Sequence, residues 1–451
     1  MPVLYTLSDD DGEWIKNINQ ALNTLRSDTC LEFKEVNTKH NIKFFFDGGG
    51  CYAVRVGWDK PVNVYVPPSC GKPGTIIHEV MHALGMKHEQ SRGDRNESAW
   101  INYDNIIKKY QGQYDRHKTR NFGMPYDFGS VMHYNSISGF NIDQTKYVIV
   151  ALKHGYQNTM GQRIEPSFKD IKLINRIYCT HDYPHTSTLS KSINFGCDIK
   201  NYELNNGKCQ NGGYPDPLDD CNCRCPTGYD GDDCTEYKYD NCRVIKLTAK
   251  VKKQYISAEF RKGKCFFAIQ LKQNDDKIKK IEAKRITIKI EKLEGFDCKT
   301  RCENNYIEIK YLKDKTATGA RICCINYDRF LTINSEEYTE VLIMRKGNIG
   351  EFDISYQKEL APSQASSNCK EVQIYRLDEK GKIALTPDGK RINGMYFRRN
   401  YCVEDNDPDP DCSYRTCFYC KLIYLFVLCF GKKQVNRGDN DQGIELKEVK
   451  T

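Results

Sequence analysis

One segment near the amino terminus is the most informative part of this sequence: His78-Glu79-Val80-Met81-His82-Ala83-Leu84-Gly85-Met86-Lys87-His88-Glu89. On an α-helix, His78 and His82 would lie one turn apart on the same face, so both imidazoles could reach one metal ion. Gly85 would let the chain leave the helix sharply, because glycine tolerates positive φ. The turn could then present His88 as a third nitrogen ligand. The spacing therefore predicts a zinc site with three histidine ligands and one open position, which is the catalytic type.

Glu79 directly follows the first predicted ligand and could hold a water molecule beside the metal ion. Zinc lowers the pKa of bound water to roughly 7 and polarises a carbonyl group. A neighbouring carboxylate can take the proton as general base and pass it to the leaving amine. The pattern therefore predicts hydrolysis of peptide bonds. The alternative is an ordinary helix with surface histidines, which the extended pattern of three histidines, a glutamate and a glycine disfavours.

The composition indicates several folded domains. The chain has 451 residues, of which 39% are hydrophobic and 11% aromatic. That length suffices for about three ordinary domains. The 68 basic and 60 acidic residues give a net charge of +8 without a block of like charges, so nucleic-acid binding is not predicted.

The 22 cysteines, most of them in short clusters, predict a disulfide framework and an oxidising compartment. A zinc-finger site would need paired CxxC motifs, and only Cys417 and Cys420 form one. We therefore expect a secreted protein. The first residues have neither a basic start nor a long apolar run, so we expect the signal peptide to lie outside this sequence.

Hydrophobic periodicity predicts helices at residues 12–26, 75–84 and 167–178. The third would begin at Ser167, with Asp170 in a near capping box. Short β-rich runs occupy the same part of the chain, at residues 44–46, 52–56 and 62–66.

Two further segments follow. Residues 197–234 are cysteine-dense and too few to bury a core, so disulfides must hold them. From residue 242 to about 356, regular short strands without helices predict a β-sandwich. These strands are expected at residues 266–271, 286–290, 306–311, 339–344 and 352–356.

The carboxy-terminal tail contains an apolar run at residues 422–430, interrupted toward the amino side by Lys421. About 20 residues are needed to cross a bilayer, so no membrane span is expected. A small disulfide module and a mispredicted exon remain the two interpretations. The tail cysteines are Cys369, Cys402, Cys412, Cys417, Cys420 and Cys429.

The extended HExxHxxGxxHE pattern and the later segment Ser130-Val131-Met132-His133-Tyr134 together resemble the astacin family of zinc peptidases. The resemblance covers residues 1 to about 180. It implies an α+β metzincin-like catalytic domain whose zinc helix lies in a cleft between two subdomains. It also implies one Zn²⁺ per catalytic domain, with Tyr134 as a further ligand that swings away to bind the transition-state oxyanion. Met132 would form an apolar floor beneath the metal.

The resemblance has further implications for single residues. It implies the disulfides Cys30–Cys179 and Cys51–Cys70. It implies that residues 51–57 form an edge strand that pairs with the extended substrate. Glu89 matches the residue that contacts the buried mature amino terminus, and Arg163 is a candidate reader of an acidic residue after the scissile bond. The family's propeptide is expected to lie outside this sequence.

The same region departs from the family at Gly93 and Asn96, where proline and aspartate are common. Neither position is a ligand. Asn96 also begins a glycosylation sequon, which is consistent with secretion. Two RGD triplets, at Arg92 and Arg437, are attributed to chance.

Residues 197–235 resemble an EGF-like module, whose pairing rule implies Cys197–Cys221, Cys209–Cys223 and Cys225–Cys234. Residues 242–358 resemble a CUB domain more loosely and imply the disulfide Cys242–Cys265. Calcium is expected in neither, and an unrelated β-sandwich remains the alternative for the second. The second CUB bridge stays open among Cys298, Cys302, Cys323 and Cys324.

The sequence thus predicts an astacin-like peptidase domain (1–182), an EGF-like module (197–235), an all-β CUB-like sandwich (242–358) and a tail of unknown structure (359–451). The layout resembles nematode astacins and predicts extracellular protein substrates, with matrix or cuticle proteins as one class. The alternative is a catalytically inactive EGF/CUB adhesion or binding protein. A structural zinc site is a weaker alternative. The natural substrate, the activation route and the oligomeric state are not predicted.

Overall fold

The chain divides into two compact units, Met1–Leu360 and Ala361–Thr451. The structure is a computed structural model. It describes residues 2–57, 60–179, 208–219, 222–238, 242–258, 265–271, 284–297, 301–324, 331–347, 349–359, 369–371 and 400–402.

The amino-terminal part is built on a five-stranded mixed sheet. Its strands are β1 (Val3–Leu7), β2 (Phe33–Glu35), β3 (Ile42–Phe45), β4 (Tyr52–Ala53) and β5 (Val62–Tyr65). Their order is β2-β1-β3-β5-β4, and only β4, at one edge, runs antiparallel to its neighbour. The strand predicted at residues 52–56 is shorter in the structure, because the chain after Ala53 bends toward the zinc-motif helix, where the Gly57 N–H donates to the His82 carbonyl.

Helix α1 (Gly12–Asp28) confirms the first helix prediction. The Asp11 side chain caps it by accepting a hydrogen bond from the Trp14 backbone N–H at 2.8 Å. Its apolar stripe is buried, and the Trp14 indole N–H donates to the Val66 carbonyl at 2.8 Å. Helix α1 therefore packs against the sheet with the face that its periodicity predicted.

Helix α2 (Pro73–Ala83) contains the zinc motif and confirms the second helix prediction. Proline at the first turn fits because its missing N–H has no helical partner there. After the helix, Gly85 has a φ of +96°, as expected for the sharp exit.

Helix α3 (Phe168–Tyr178) begins with the predicted capping box. The Ser167 hydroxyl accepts from the Asp170 N–H, and the Asp170 carboxylate accepts from the Ser167 N–H. The disulfide Cys30–Cys179 joins the chain after α1 to the end of α3, and Cys51–Cys70 joins the start of β4 to the chain before α2. Both are the pairs that the family resemblance implied.

Residues 99–160 contain little regular structure. Strands β6 (Ala99–Ile101) and β7 (Ile149–Ala151) form a two-stranded antiparallel sheet. The rest consists of short 3-10 helices and turns. Outside the β6–β7 pair, this segment is held by backbone hydrogen bonds of turns and by side-chain hydrogen bonds, such as those from the Asn105 side-chain amide to the Asp143 and Lys146 carbonyls.

Residues 208–238 form two small antiparallel ribbons, β8 (Tyr214–Pro215) with β9 (Cys223–Arg224), and β10 (Gly228–Asp230) with β11 (Glu236–Lys238). The disulfides Cys209–Cys223 and Cys225–Cys234 join them. The third implied pair, Cys197–Cys221, lies outside the described residues.

Residues 242–359 form two packed sheets. One has the order β12-β14-β19-β16-β17 and the other β13-β20-β15-β18. The pairing is antiparallel except between β12 and β14. The strands are β12 (Val244–Ala249), β13 (Gln254–Ala258), β14 (Phe266–Leu271), β15 (Arg285–Glu294), β16 (Tyr306–Lys310), β17 (Ala320–Ile322), β18 (Thr332–Asn334), β19 (Val341–Lys346) and β20 (Glu351–Glu359).

The disulfides of this sandwich include Cys242–Cys265, which the resemblance implied. The open question of the second bridge is answered in part, because Cys302 is bonded to Cys323. Cys324 is disulfide-bonded as well.

The sandwich shares one hydrophobic core with residues 99–160. Tyr156 lies between Phe128 and Tyr311, with ring centroids 4.8 and 5.8 Å away. At Gly129 a Cβ atom would lie 2.5 Å from the Thr318 side chain, so glycine permits the close approach. The two segments are therefore packed as one body.

In the second unit, the described residues are the antiparallel pair β21 (Cys369–Glu371) and β22 (Asn400–Cys402). The remainder of the predicted tail at 359–451 lies outside the described residues. Among the described residues, no helix has the length and apolar character to cross a membrane.

Candidate active site

The three histidines of the motif converge on one point. The His88 Nε2 atom lies 3.0 Å from His82 Nε2 and 3.2 Å from His78 Nε2. Two of these rings come from α2, and His88 follows the turn at Gly85. Within the described part of the chain, these three histidines are the side chains whose ligand atoms lie close enough together to hold one metal ion.

Backbone carbonyls orient two of the rings. His78 Nδ1 lies 2.7 Å from the Val131 oxygen, and His82 Nδ1 lies 2.8 Å from the Met86 oxygen. A carbonyl only accepts, so each Nδ1 carries the hydrogen and each Nε2 presents a lone pair. Nitrogens bound to one tetrahedral zinc ion at about 2.0–2.1 Å lie about 3.3 Å apart. The rings therefore fit zinc.

Burial keeps the rings neutral. It lowers the pKa of His82 to about 4 and lowers the pKa values of His78 and His88 far below the usual value. Neutral imidazole is the form that coordinates a metal ion. The site is therefore ready to bind a cation at neutral pH without first losing a proton.

Glu79 lies beside the triad with its side chain buried. Its Oε2 atom accepts a hydrogen bond from the Ala53 N–H at 2.8 Å, which connects the motif helix to the edge strand β4. Burial raises the pKa of Glu79 to about 7. A cation held by the three rings would favour the charged carboxylate and lower that pKa.

Tyr134 lies next to His88, with ring centroids 4.2 Å apart. Its backbone N–H donates to the Gln90 side chain at 3.0 Å. Burial raises the pKa of Tyr134 to about 12, so its phenol is protonated and can donate a hydrogen bond at neutral pH.

Met132 is fully buried in the same core as Met81 of helix α2. Its carbonyl accepts from the Glu89 N–H at 3.0 Å, while the carbonyl of Val131 accepts from His78. The turn at residues 130–134 therefore contacts both ends of the zinc motif.

Asp170 is a supporting residue that sequence reasoning identified only as part of a helix cap. Its carboxylate accepts from the Ser130 hydroxyl at 2.6 Å and from the Val131 N–H at 2.8 Å. It thereby ties the Met132 turn to helix α3. The capping-box spacing predicted the start of the helix, but no local pattern indicated that Asp170 contacts the turn at residues 130–134.

Glu89 is the centre of a buried ionic cluster. Its carboxylate lies 2.7 Å from Lys169 Nζ and 3.1 Å from the Arg92 guanidinium, and it accepts from the Asp127 N–H at 2.9 Å. The predicted contact of Glu89 with an amino terminus lies outside the described residues, which begin at Pro2. Arg92 is only 6% exposed, which is consistent with attributing its RGD triplet to chance.

Arg163 contacts the turn that carries Tyr134. Its NH1 group donates to the His133 carbonyl at 2.9 Å and to the Gln162 carbonyl at 2.8 Å. Burial lowers the pKa of Arg163 to about 10, and interaction with the Glu79 carboxylate raises it. The Arg163 guanidinium is thus charged at neutral pH, and the Glu79 carboxylate favours that charge.

A family model for astacin, a family of peptidases, matches residues 1–179. The zinc metalloproteinase nas-36 of Brugia malayi is 32% identical over 382 residues, which covers 81% of this chain and 60% of that protein. The zinc metalloproteinase nas-30 of Caenorhabditis elegans is 32% identical over 358 residues, or 77% of this chain and 43% of that protein. This chain therefore spans less than two thirds of the length of these relatives.

Among solved structures, the high choriolytic enzyme 1 of Oryzias latipes, a hatching enzyme zinc-protease, is 30% identical. The match covers 38% of this chain and 86% of that one, with a TM-score of 0.36. The family model describes peptidases and the two nematode relatives are zinc metalloproteinases, which agrees with a metal site at the histidine triad described above. Residues 1–179 of this chain thus match the astacin family of peptidases.

Proposed function

We propose that this chain is a secreted zinc-dependent endopeptidase that cleaves extracellular proteins, with Glu79 as general base. One observation carries the proposal: three neutral imidazoles present their Nε2 atoms to a common point, 3.0 and 3.2 Å apart, beside a buried carboxylate. Three nitrogen ligands leave a coordination position open, which a structural zinc site does not.

His78, His82 and His88 would hold the zinc ion, which when bound acts as a Lewis acid toward a peptide carbonyl and acidifies a water molecule. Glu79 takes the proton from the attacking water and delivers it to the leaving amine. Its hydrogen bond from Ala53 fixes one carboxylate oxygen and so holds the side chain in place. The Tyr134 phenol donates a hydrogen bond to the oxyanion of the transition state.

The substrate binds along the edge strand β4. This strand is the last of the five-stranded sheet and is joined to Glu79 through Ala53. Tyr52, Val54 and Val56 are exposed there, which suits an extended peptide that adds to the sheet edge. Arg163 then favours an acidic side chain after the scissile bond, since a half-buried guanidinium can form charge-assisted hydrogen bonds with a carboxylate.

The accessory regions are proposed to be an EGF-like module at 197–235 and a CUB domain at 242–358, after a peptidase domain at 1–182. The two ribbons with their disulfides and the two packed sheets support these assignments. The disulfides in all three regions favour an oxidising compartment and hence secretion. Matrix or cuticle proteins are the proposed class of substrate.

The test is cleavage of casein by the purified full chain with and without 1,10-phenanthroline, alongside the Glu79→Gln variant. General base catalysis contributes about 10²–10⁴-fold, so Glu79→Gln should lose activity by about that factor. The variant should still bind one zinc ion per chain, as measured by metal analysis. Glu97→Gln, at an exposed position, is the matched control and should cleave normally.

Each outcome has a distinct meaning. Cleavage by Glu79→Gln at the wild-type rate would remove Glu79 from its proposed role. A wild-type chain that binds zinc but cleaves nothing would favour the adhesion or binding alternative. A chain without stoichiometric zinc would contradict the metal site itself.

A further inference from the structure

One short segment of the sandwich, Arg301–Cys302–Glu303, lies against the part of the peptidase domain that ends at Arg163. The Cys302 N–H donates to the Asn158 carbonyl at 2.8 Å. An Arg301 N–H donates to the Gly161 carbonyl at 3.3 Å. The Arg163 backbone N–H donates to the Glu303 carboxylate at 3.3 Å. The sandwich thus holds residues 158–163 at three places along their length.

The other side of residues 158–163 faces the active-site turn. Gly161 has a φ of +90°, and a Cβ atom there would lie 2.5 Å from the Cα atom of Asn135, next to Tyr134. Thr159 is fully buried, and its hydroxyl accepts from the Arg321 N–H of the sandwich at 2.9 Å. The segment is therefore packed between the sandwich and the turn that carries Tyr134, so neither neighbour can move without displacing it.

Arg301 and Glu303 also form an ion pair, with Arg301 Nε 3.1 Å from Glu303 Oε1. The Glu303 side chain is 18% exposed and that of Arg301 40% exposed, so Glu303 is the less screened of the two. Besides the larger effect of burial, Arg301 lowers the pKa of the Arg163 guanidinium and Glu303 raises it, so the two charges act on it with opposite signs. A charge change at either residue will therefore alter the potential that Arg163 presents to the cleft.

We propose that Arg301 and Glu303, supplied by the β-sandwich, are positioning residues for Arg163 and set how strongly the cleft prefers an acidic substrate side chain. The proposal rests on the proposed peptidase function and on Arg163 facing the substrate. It makes the sandwich a part of the specificity site. Glu303 holds the Arg163 backbone and weakens its positive potential, while Arg301 strengthens that potential and restrains Glu303.

The test uses the full chain and two fluorogenic peptides that differ only in aspartate or asparagine after the scissile bond. The wild type should cleave the aspartate peptide with the higher kcat/KM. Glu303→Gln keeps an acceptor for the Arg163 N–H and removes the negative charge, so the aspartate-to-asparagine ratio should rise about threefold. Arg301→Gln removes a positive charge, so the same ratio should fall about threefold.

A merely structural role would not move the ratio in opposite directions. The matched controls are Arg285→Gln and Glu337→Gln, an exposed ion pair elsewhere on the sandwich, and both should leave the ratio unchanged. Binding of the same two peptides to Glu79→Gln, measured by fluorescence anisotropy, should show the same order of preference without any cleavage. Adding Glu303→Gln to the Glu79→Gln chain should increase the difference between its affinities for the aspartate and asparagine peptides.

The proposal is overturned if Arg301→Gln and Glu303→Gln shift the ratio in the same direction or leave it at the wild-type value. It is also overturned if the wild type cleaves both peptides equally, and the proposed peptidase function would survive that result. A wild type that cleaves neither casein nor either peptide would instead remove the proposed function, and the inference with it.

Discussion

The two hydrophobic cores that meet at the zinc motif are built in different ways. The amino-terminal core consists of the five-stranded sheet with helices α1, α2 and α3, together with Val131 and Met132. The second core joins residues 99–160 to the β-sandwich. In the first, regular hydrogen-bonded elements satisfy the backbone. In the second, the peptidase side supplies one two-stranded sheet and short 3-10 helices.

Buried polar groups follow the same division. Of the polar side chains on the five amino-terminal strands, only Thr6 is buried, whereas Asn105, Asp127 and His133 are all buried in the second region. Asp127 accepts from the Thr318 N–H of the sandwich at 3.2 Å, so part of this polar network is completed by another module. The amino-terminal core therefore contains no described residue of the sandwich, whereas the second core and its polar network depend on the sandwich.

The largest expected effect comes from Tyr156→Ala, which removes the ring between Phe128 and Tyr311 in the second core. Truncating a large buried aromatic costs about 3–5 kcal/mol. Because this core is shared, hydrogen exchange should accelerate both in β7 and in the sandwich strands. Denaturant unfolding and hydrogen exchange measured on the full chain would check both parts.

Phe44→Ala is the matched variant in the amino-terminal core, where Phe44 is fully buried. It should cost a similar free energy of unfolding, about 3–5 kcal/mol, with faster exchange confined to the sheet and its helices. If Tyr156→Ala left exchange in the sandwich unchanged, the idea of a shared core would be wrong.

Lys169→Met tests the buried ionic cluster around Glu89, to which α3 of the amino-terminal region contributes Lys169, and should have the next largest effect. Lys169 is 1% exposed and lies 2.7 Å from Glu89, which would lose one of its two cationic partners. Removing one member of a buried pair costs about 3 kcal/mol, as measured by denaturant unfolding. Lys16→Met, on the exposed face of α1, should change stability by less than about 0.5 kcal/mol. Equal stabilities of the two variants would contradict the importance of this cluster.

Ser167→Ala should have the smallest effect of the three. The Ser167 hydroxyl accepts one hydrogen bond from the Asp170 N–H, and losing such a cap costs about 1 kcal/mol. Asp170 keeps its bonds to Ser130 and Val131, so zinc affinity should stay at the wild-type value. Ser27→Ala, at an exposed position near the end of α1, is the control for thermal unfolding. A fall in zinc affinity in Ser167→Ala would show that the cap and the metal site are coupled.

The regular elements could be predicted because their signals are local. The periodicity around Trp14, the capping box at Ser167 and the zinc motif each lie within a few turns of one helix. Five of the nine described sandwich strands were predicted for the same reason, although β15 extends from Arg285 to Glu294, beyond its predicted range of 286–290. Strands β12, β13, β17 and β18 were not predicted. Strand β1 (Val3–Leu7) was not predicted, since its partners β2 and β3 lie 30 or more residues away.

By itself, the sequence determined the chemistry: the spacing of His78, His82 and His88, with Glu79 and the glycine between them, is sufficient to predict a zinc site. Only the tertiary structure decided which distant residues contact and support the zinc site. The contacts of Asp170 with Val131, of Glu89 with Lys169 and of Glu303 with Arg163 join residues 39, 80 and 140 positions apart. Local patterns cannot specify such pairs, because each depends on how separate elements pack once their apolar faces are buried.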